Sequence, residues 1–411
     1  MKQKYNSKTK LLSFFILVNL LYNSETLRAS GIVVDSNADK RHQANITETR
    51  NKIDQVDIVA PSSSGTSHNK FLDYNVSEKG IILNNSAKEI TTTLGGIISK
   101  NNNLNGREAD LIITEVTGNK LSNILGYTEV AGKKADYILA NPNGINVNGA
   151  GFLNTRDVIL TTGSILNDPL LKFKIRKGLI EVGEKGVNTE GVDYFSLISK
   201  TVKISGAISS ANKKNPKEVK IIAGSNDFNY ATKEATSILT DETEENLVGI
   251  DTGELGGVIA NKITLISNDK GIGVNIKSPL IAEVEDITID SMGNITLKSA
   301  KAEKNINLRT DKSILTEKAL SGNNIYLSAK NEISNSGIIY GNELVKTNSK
   351  SVKNKKSGEI LSKNTLKISS EEIIENAGTI QGENEVKVSG KKLKTSENSK
   401  LVSSKKLDID V

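Results

Sequence analysis

Short segments of alternating apolar and polar residues recur at a fixed spacing through the last third of the chain. In each of them two mostly apolar residues flank one polar residue, which is the pattern of a β-strand with one buried face. Their first residues are 20 or 21 positions apart. A repeat of this length predicts stacked copies of one structural unit. The five segments are Ile325-Tyr326-Leu327, Val345-Lys346-Thr347, Leu366-Lys367-Ile368, Val386-Lys387-Val388 and Leu407-Asp408-Ile409.

A second marker recurs in the same phase, so each unit contains at least two short strands. It is a glycine followed closely by an apolar residue, at Gly337-Ile338, Gly358-Glu359-Ile360 and Gly378-Thr379-Ile380. A leucine-rich repeat has a similar period, but it needs a spaced Leu and Asn pattern that is missing here. Two strands per unit predict an all-β fold, a parallel β-helix. At ~4.8 Å per coil, a mature chain of about 380 residues would form a rod of very roughly 90 Å.

Segments of the same kind occur earlier in the chain, with less regular spacing. We therefore predict a boundary near residue 270, between an irregular region, residues 31–270, and regular coils with the repeat described above, residues 271–411. Residues 231–246 are rich in acidic side chains and predict a loop or a short helix outside the coil. The earlier segments include Ile263-Thr264-Leu265, Ile287-Thr288-Ile289, Ile295-Thr296-Leu297 and Ile306-Asn307-Leu308.

Residues 140–155 predict a strand, a tight turn and a second strand. Pro142 fixes φ for the turn, and Asn143 and Gly144 both tolerate positive φ. Ile145 then begins an alternation of apolar and polar residues that is typical of a strand. The stretch has almost no charge and no catalytic group. It therefore indicates a built scaffold rather than an active site.

The composition argues against several functional classes. The chain has no cysteine and only two histidines, His42 and His68, so we expect no zinc cluster, no cofactor and no metal. Crossing a second membrane unfolded would explain the missing disulfides, and so would a lineage that uses little cysteine. The net charge of +6 is dispersed along the chain without interleaved aromatic residues, so we expect no nucleic-acid partner.

The N-terminal segment, residues 1–30, has the form of a Sec signal peptide. Several lysines precede an apolar run from Leu11 to Leu21, and small and polar residues follow up to Ser30. This run is too short to cross ~30 Å of hydrocarbon as a helix. We therefore expect a cleaved signal peptide over residues 1–30 rather than a permanent anchor.

Parallel β-helices also include polysaccharide lyases and hydrolases, which need convergent carboxylates or a basic residue beside metal-binding acids. The candidate acids Glu283, Asp286 and Asp290 lie in one short strand region. Their alternation favours solvent-facing partners of nearby lysines. We therefore expect that the chain is not an enzyme.

Five segments of the chain stand in an order that is typical of one family. They are Ser67-His68-Asn69-Lys70-Phe71, Asn101-Asn102-Asn103-Leu104, Glu115-Val116-Thr117, Glu129-Val130-Ala131-Gly132 and the block of residues 135–163, which contains Asn141-Pro142-Asn143-Gly144-Ile145. Over about residues 50–165, and more faintly to about 270, the chain resembles the secretion domain of two-partner-secretion exoproteins, the filamentous-haemagglutinin-like and haemolysin-type family. That family usually has proline at the position of Asn102, and asparagine also favours a turn there, with less local stiffness.

This resemblance implies a right-handed parallel β-helix, or β-solenoid, with an N-terminal secretion-domain cap over residues 31–270. It also implies export by Sec through the periplasm of a Gram-negative bacterium, and then through a dedicated outer-membrane barrel of the TpsB type with periplasmic domains. The carried-over motif residues either contact this transporter or only hold the turns that let the β-helix nucleate. They are Asn101, Asn103, Leu104, Asn141, Pro142, Asn143, Gly144 and Ile145.

The favoured function is a secreted or surface-exposed haemagglutinin-like adhesin that binds a receptor on a host or neighbouring cell. The alternative is the N-terminal fragment of a haemolysin or of a contact-dependent growth inhibition toxin carrier, which share this export domain. The last strand-like copy ends at Val411 without a polar capping unit. Because solenoid ends usually need caps, we expect the product of a truncated or split gene.

Overall fold

The computed structural model describes residues 31–166, 171–210, 215–238 and 247–411, so the predicted signal peptide lies outside the described residues. Within these ranges the regular structure is β, apart from two single-turn 3-10 helices, Lys40–His42 and Asn102–Leu104. The predicted all-β fold class is confirmed.

The strands are short in the first half of the chain and longer in the second half. The first group is β1 Ile32–Val34, β2 Asn45–Glu48, β3 Asp54–Asp57, β4 Thr66–Tyr74, β5 Ile81–Asn85, β6 Ile90–Thr92, β7 Gly96–Ile98, β8 Leu111–Val116, β9 Ser122–Ile124, β10 Tyr127–Gly132, β11 Ala135–Ala140, β12 Ile145–Val147, β13 Ala150–Leu153 and β14 Thr155–Thr161. The second group is β15 Ser164–Ile165, β16 Lys172–Ile175, β17 Leu179–Val182, β18 Val187–Asn188, β19 Tyr194–Ser199, β20 Thr201–Ile204, β21 Ile208–Ser209, β22 Glu218–Ala223, β23 Asn226–Asn229, β24 Glu234–Ser237, β25 Val248–Thr252, β26 Val258–Ala260 and β27 Ile263–Ser267. The third group is β28 Gly273–Ala282, β29 Ile287–Ser291, β30 Ile295–Ala302, β31 Asn305–Thr310, β32 Ile314–Ala329, β33 Glu332–Asn335, β34 Ile338–Asn354, β35 Glu359–Ser362, β36 Thr365–Asn376, β37 Thr379–Gly382, β38 Glu385–Ser389, β39 Lys392–Thr395, β40 Lys400–Ser403 and β41 Lys406–Asp410.

The chain coils through about 14 turns and builds three parallel sheets along the coil axis, here called faces A, B and C. Several long strands bend at a corner and contribute to more than one face. Face A contains β4, β8, β11, β14, β19, β22, β27, β29, β31, β32, β34, β36, β38 and β41. Face B runs from β9 and β12 to β36 and β39, and face C from β3 and β5 to β37 and β40.

The repeat that is visible in the sequence corresponds to one coil. Val345 is in register with Leu366, Leu366 with Val386, and Val386 with Leu407. Each coil contains three strand segments where the repeat markers alone showed two. The third segment lies on face B, as in Glu332–Asn335.

One continuous apolar core fills the inside of the coil. In the regular repeats each coil contributes aliphatic side chains such as Ile325, Val345, Leu366 and Val386, all fully buried. Among the described core residues, aromatic rings occur in the first half of the chain, where Tyr137 and Phe152 are among the largest buried side chains. Inward and outward positions alternate because successive side chains of a strand point to opposite faces.

The N-terminal end of the coil is covered by antiparallel pairing, of β1 with β4 and of β2 with β3. Two further elements of the described chain lie outside the coil. The antiparallel sheet β15-β16-β23-β24 packs on face A, and the hairpin β6-β7 packs beside face C. Within the predicted acidic loop or short helix, residues 234–237 form strand β24, whereas residues 239–246 lie outside the described part of the chain.

Candidate functional site

The first asparagine turn, residues 101–104, closes a corner between faces C and A, and its first side chain is buried. Nδ2 of Asn101 donates to the main-chain oxygens of Ile58 and Asn84, both at 2.8 Å. Its Oδ1 accepts a hydrogen bond of 2.9 Å from the main-chain nitrogen of Asn103. All the polar atoms of this side chain are therefore used to hold main chain in place.

The second asparagine turn, residues 141–144, repeats this arrangement at the corner between faces A and B. Nδ2 of Asn141 donates to the main-chain oxygen of Lys120 at 2.9 Å and to Oγ of Ser122 at 3.0 Å. Its Oδ1 accepts from the main-chain nitrogen of Asn143 at 3.0 Å. Asn141 is fully buried and links its own turn to the preceding coil.

The third residue of each turn makes the same contact to a neighbouring coil. Nδ2 of Asn103 donates to the main-chain oxygen of Asp57 at 3.0 Å, and Nδ2 of Asn143 donates to that of Gly118 at 2.9 Å. Gly144 has φ of +120° and its nitrogen donates to the oxygen of Asn141, so the turn needs a residue without a side chain there. Both turns thus have one construction, an asparagine pair that fastens a corner to an adjacent coil.

The remaining motif residues divide between the core and the surface. Leu104 and Ile145 are 1% and 2% exposed and belong to the apolar core. Pro142 is half-buried, and Asn102, which stands where the family has proline, is exposed. The turn is kept with asparagine at this position, because residues 102–104 form a 3-10 helix with Asn101 as its N-cap.

Two buried polar side chains have structural roles that sequence reasoning missed. Glu129 is 6% exposed, and its carboxylate accepts hydrogen bonds from the main-chain nitrogens of Thr93 and Leu94, which fixes the turn of the β6-β7 hairpin. Asn85 accepts from the nitrogen of Ala109 at 2.7 Å and donates to its oxygen at 2.9 Å. In the sequence, Glu129 is a lone charged residue in an apolar segment, and this was the signal that could have identified it as buried and structural.

The two histidines lie together at the N-terminal cap, with ring centroids 4.7 Å apart. Nε2 of His68 is 2.7 Å from Oε2 of Glu115, and Nζ of Lys70 is 3.4 Å from the same oxygen. Burial by itself raises the pKa of Glu115, but the hydrogen bond from His68 and the charges of His68 and Lys70 outweigh it, so the pKa is lowered. Burial lowers the pKa of His42. The contact of His68 with Glu115 joins the adjacent strands β4 and β8 of face A. Nδ1 of His42 lies 2.8 Å from the main-chain oxygen of His68, which ties the cap segment to β4.

The three acids that were catalytic candidates do not converge. Asp286 accepts hydrogen bonds from the nitrogen and Nδ2 of Asn305, and Glu283 accepts from Nδ2 of Asn215, so their partners are amides where we expected lysines. Asp290 is exposed. In the described ranges no group of three or more His, Cys, Asp or Glu side chains has a geometry that could hold a metal ion. Across those same ranges no helix is long and apolar enough to span a membrane.

A parallel β-solenoid with an antiparallel cap and paired asparagine turns is the architecture of a secretion domain, and the comparisons with known proteins agree. The TPS secretion domain family matches residues 30–297, which is more than half of the 411 residues. The chain therefore belongs to the TPS secretion domain family and is a two-partner-secretion exoprotein.

The relatives that the chain resembles in sequence are named either as a filamentous hemagglutinin or as a CdiA protein. The chain is 36% identical over 265 residues to filamentous hemagglutinin of Bordetella pertussis, which covers 64% of the chain and 7% of that protein. It is 39% identical over 285 residues to the 16S rRNA endonuclease CdiA of Enterobacter cloacae, covering 68% and 8%. It is 35% identical over 329 residues to the tRNA nuclease CdiA of Escherichia coli, covering 79% and 10%. The matched segment thus spans a tenth or less of each of these relatives.

Two solved structures share the fold. The filamentous hemagglutinin secretion domain aligns with a TM-score of 0.56 and 28% identity, over 91% of this chain and 100% of that one. The HMW1 secretion domain of Haemophilus influenzae aligns with a TM-score of 0.52 and 15% identity, over 92% and 99%, a likeness of fold alone. The right-handed parallel β-helix with an N-terminal secretion-domain cap, implied by the family resemblance, is confirmed.

Proposed function

We propose that this chain is the export domain and first stalk segment of a haemagglutinin-like adhesin of a Gram-negative bacterium. Sec takes it to the periplasm, and an outer-membrane barrel of the TpsB type, with its periplasmic domains, takes it to the surface or medium. The proposal rests chiefly on one observation: the TPS secretion domain family matches the same residues that form the cap and both asparagine turns. The adhesin itself is not an enzyme, needs no cofactor and binds a receptor on a host or neighbouring cell.

We further propose that the two asparagine turns serve export through folding. Asn101 and Asn141 are buried and all their polar atoms are bound within the chain, which leaves none for a partner. Asn103, Pro142 and Asn143 are half-exposed and are the motif residues that the transporter could touch. The buried asparagines therefore define the corners of the first coils, and the half-exposed residues of both turns are the candidate contact.

The test is export of the chain, from its signal peptide to Val411, with and without the cognate barrel. We compare the wild type with a Gly144→Val variant, in which Cβ would lie 3.0 Å from the main-chain oxygen of Leu179 and φ is strained. The exposed Asn102→Ala is the matched control. Barrel-dependent release that Gly144→Val loses and Asn102→Ala keeps is the expected result. Release without the barrel would contradict the proposal.

A second candidate function is favoured by the relatives that have CdiA names; both of those described above are called nucleases. In that case the chain is the export segment of a toxin carrier, either of the contact-dependent growth inhibition type or a haemolysin. Sequencing the gene beyond the codon for Val411 separates the two functions. Further coils of the same length favour the adhesin, whereas a distinct terminal domain favours the carrier.

A further inference from the structure

Face A changes its character along the coil axis. In the first half its outward positions are apolar, as at Ile138, Ile159 and Ile198, and the sheet β15-β16-β23-β24 covers them. That sheet reaches as far as Ser237, whose Oγ donates to the main-chain oxygen of Asn268. From β29 onward the outward positions are polar, and no other element of the described chain packs over them.

The open part of face A forms a groove of about 630 Å³ that crosses β29, β31, β32, β34 and β36. One row of outward side chains passes through Asn307, Tyr326 and Lys346, which are in register on adjacent strands. A parallel row passes through Ser328 and Asn348. Tyr326 is partly exposed in the middle of the groove, with amides, hydroxyls and an ammonium group around it.

The first row continues as three stacked lysines, Lys346, Lys367 and Lys387, in register on β34, β36 and β38. Neighbouring strands are ~4.8 Å apart, and like charges directly opposite each other destabilise a sheet. Lys387 has Asp408 at 3.9 Å, but no carboxylate of the described residues is within 4 Å of Lys346 or Lys367. This row is therefore a line of positive charge whose first two members form no ion pair in the described part of the chain.

Face B of the same coils shows the opposite arrangement. Lys353, Glu375 and Lys394 are stacked in register on β34, β36 and β39. The two lysines lie 3.7 Å and 3.3 Å from the carboxylate of Glu375. Charges alternate in this row of face B, whereas lysines are stacked in the row of face A. Lys346 lines the groove, and Lys367 and Lys387 extend the row beyond its end.

We propose that this groove binds an acidic polysaccharide along the coil axis. The anionic groups of the polysaccharide pair with Lys346 and Lys367. A sugar ring stacks on Tyr326, and sugar hydroxyls form hydrogen bonds with Asn307 and Asn348. An aromatic ring between hydrogen-bonding side chains suits a ligand with apolar ring faces and many hydroxyls. The groove spans about four strand spacings, roughly 20 Å, which accommodates several sugar units.

The aromatic content of the groove distinguishes this ligand from a single-stranded nucleic acid, and the acidic residue of the second row sets where its charges lie. Asp290 is exposed at the N-terminal end of the groove, in register with Arg309 on the next strand. A carboxylate here repels phosphate and acidic sugar groups alike, so the anionic groups of the ligand lie toward the lysines, and Asp290 accepts hydrogen bonds from sugar hydroxyls at this end. The groove has one tyrosine rather than the series of aromatic residues on which successive bases stack.

This inference goes beyond export, because the groove lies outside both asparagine turns. It gives the proposed adhesin a class of ligand, and purified protein can be assayed for it whether or not the export route is correct. A chain that is secreted through the barrel but does not bind an acidic glycan would count against the groove alone. A chain that binds an acidic glycan but is not exported through the barrel would count against the export proposal alone.

The experiment measures binding of the purified full chain to four immobilised oligomers of matched length. They are an oligogalacturonate, a sulfated dextran, a neutral dextran and a single-stranded oligodeoxynucleotide. Binding to an acidic glycan at least tenfold tighter than to the other two oligomers is expected, and the first two probes tell carboxylate from sulfate. Binding to neither acidic glycan, or equal binding to the oligonucleotide, overturns the proposal.

Matched variants locate the site. Lys346→Gln with Lys367→Gln should weaken binding about 2- to 30-fold, the range for two exposed ion pairs, and should make it less dependent on salt. Lys353→Gln with Lys394→Gln removes the same charge from face B of the same coils and should leave binding unchanged. Equal losses in the two double variants would mean general charge attraction and would refute the groove.

The aromatic contact has its own control pair. Tyr326→Ala should weaken binding about fivefold or more through lost stacking. Tyr340→Ala removes an exposed tyrosine from face C and should have no effect. If both tyrosine variants bind as the wild type does, the ring has no part in recognition and the proposed binding mode is wrong.

Discussion

Asn141→Ala is the sharpest test of the second asparagine turn. In the native chain this side chain donates to the main-chain oxygen of Lys120 and to Oγ of Ser122, and it accepts from the nitrogen of Asn143. Its Oδ1 also accepts from Nδ2 of Asn143 at 3.0 Å, so alanine removes four hydrogen bonds at once. The freed carbonyl and N–H groups stay at the corner between two coils, because the flanking strands β11 and β12 are held by parallel pairing on both sides.

The magnitude follows from the number of groups left without a partner. A buried polar group that loses its hydrogen bond costs about 1–3 kcal/mol. Two main-chain groups, the oxygen of Lys120 and the nitrogen of Asn143, lose a side-chain partner. Together they give a loss of about 2–6 kcal/mol, toward the lower end because both contacts are only part-buried. This is a large share of the ~5–15 kcal/mol that stabilises a typical domain. Asn143→Ala should cost less, about 1–2 kcal/mol, because Asn143 is half-exposed and water can replace its contacts.

The assay is urea unfolding of the purified chain, followed by circular dichroism and by proteolysis at the turn. Solenoids can unfold in parts, so the local proteolytic signal has to accompany the global one. Export of each variant is measured in parallel. If Asn141→Ala unfolds as the wild type does but is not exported, the asparagine acts on the transporter directly and the argument from folding is refuted.

Four further predictions test other parts of the structure. Asn102→Pro should raise the free energy of unfolding by about 0.4–1 kcal/mol. Proline fits there because Asn101 already has extended φ and ψ and position 102 is the first of a 3-10 turn. Lower stability in urea would contradict this. Glu115 has a lowered pKa in the folded chain, so its contribution to the free energy of unfolding is complete above its unfolded pKa of 4.5. This contribution is lost as the pH falls through the lower folded pKa. Hydrogen exchange of β4 should accelerate in that pH range, and less so in Glu115→Gln. Asn354 stands in a buried ladder of side-chain amides and bonds to Asn335 and Asn376 at 2.9 Å each. Asn354→Ala should lower the free energy of unfolding in urea by about 1–3 kcal/mol. The exposed Ser357→Ala is the control and should lower it by less than about 0.5 kcal/mol. A tightly folded domain fused after Val411 should reduce export if folding outside helps to draw the chain across; undiminished yield would rule that out.

Much of the fold could be predicted because its signals are local. Alternation of apolar and polar residues shows which side chains of Leu366-Lys367-Ile368 face inward, and the fixed spacing of such segments shows that the units stack. The antiparallel sheet over face A had no such signal. It pairs Phe173 with Phe228, more than fifty positions apart, and both strands look like any other short strand of the coil.

The asparagine turns show where local reasoning stops. The sequence identified Asn101, Asn103, Asn141 and Asn143 as turn residues, since asparagine and glycine allow the necessary backbone angles. It did not show which of them are buried. Burial of Asn141 depends on Lys120 and Ser122 in the preceding coil, and thus on the register between coils. Whether these residues also contact a transporter remains a prediction.

The sequence by itself determined the class of fold, the coil length, the turn positions and the family, because each depends on neighbours along the chain or on motifs in a fixed order. Only the tertiary structure decided the partners of the charged side chains. Lys346 and Lys353 lie in the same strand, and nothing in their local sequence separates them. Stacking places a carboxylate beside Lys353 and another lysine beside Lys346, because register between coils brings together residues that lie one repeat apart in the sequence.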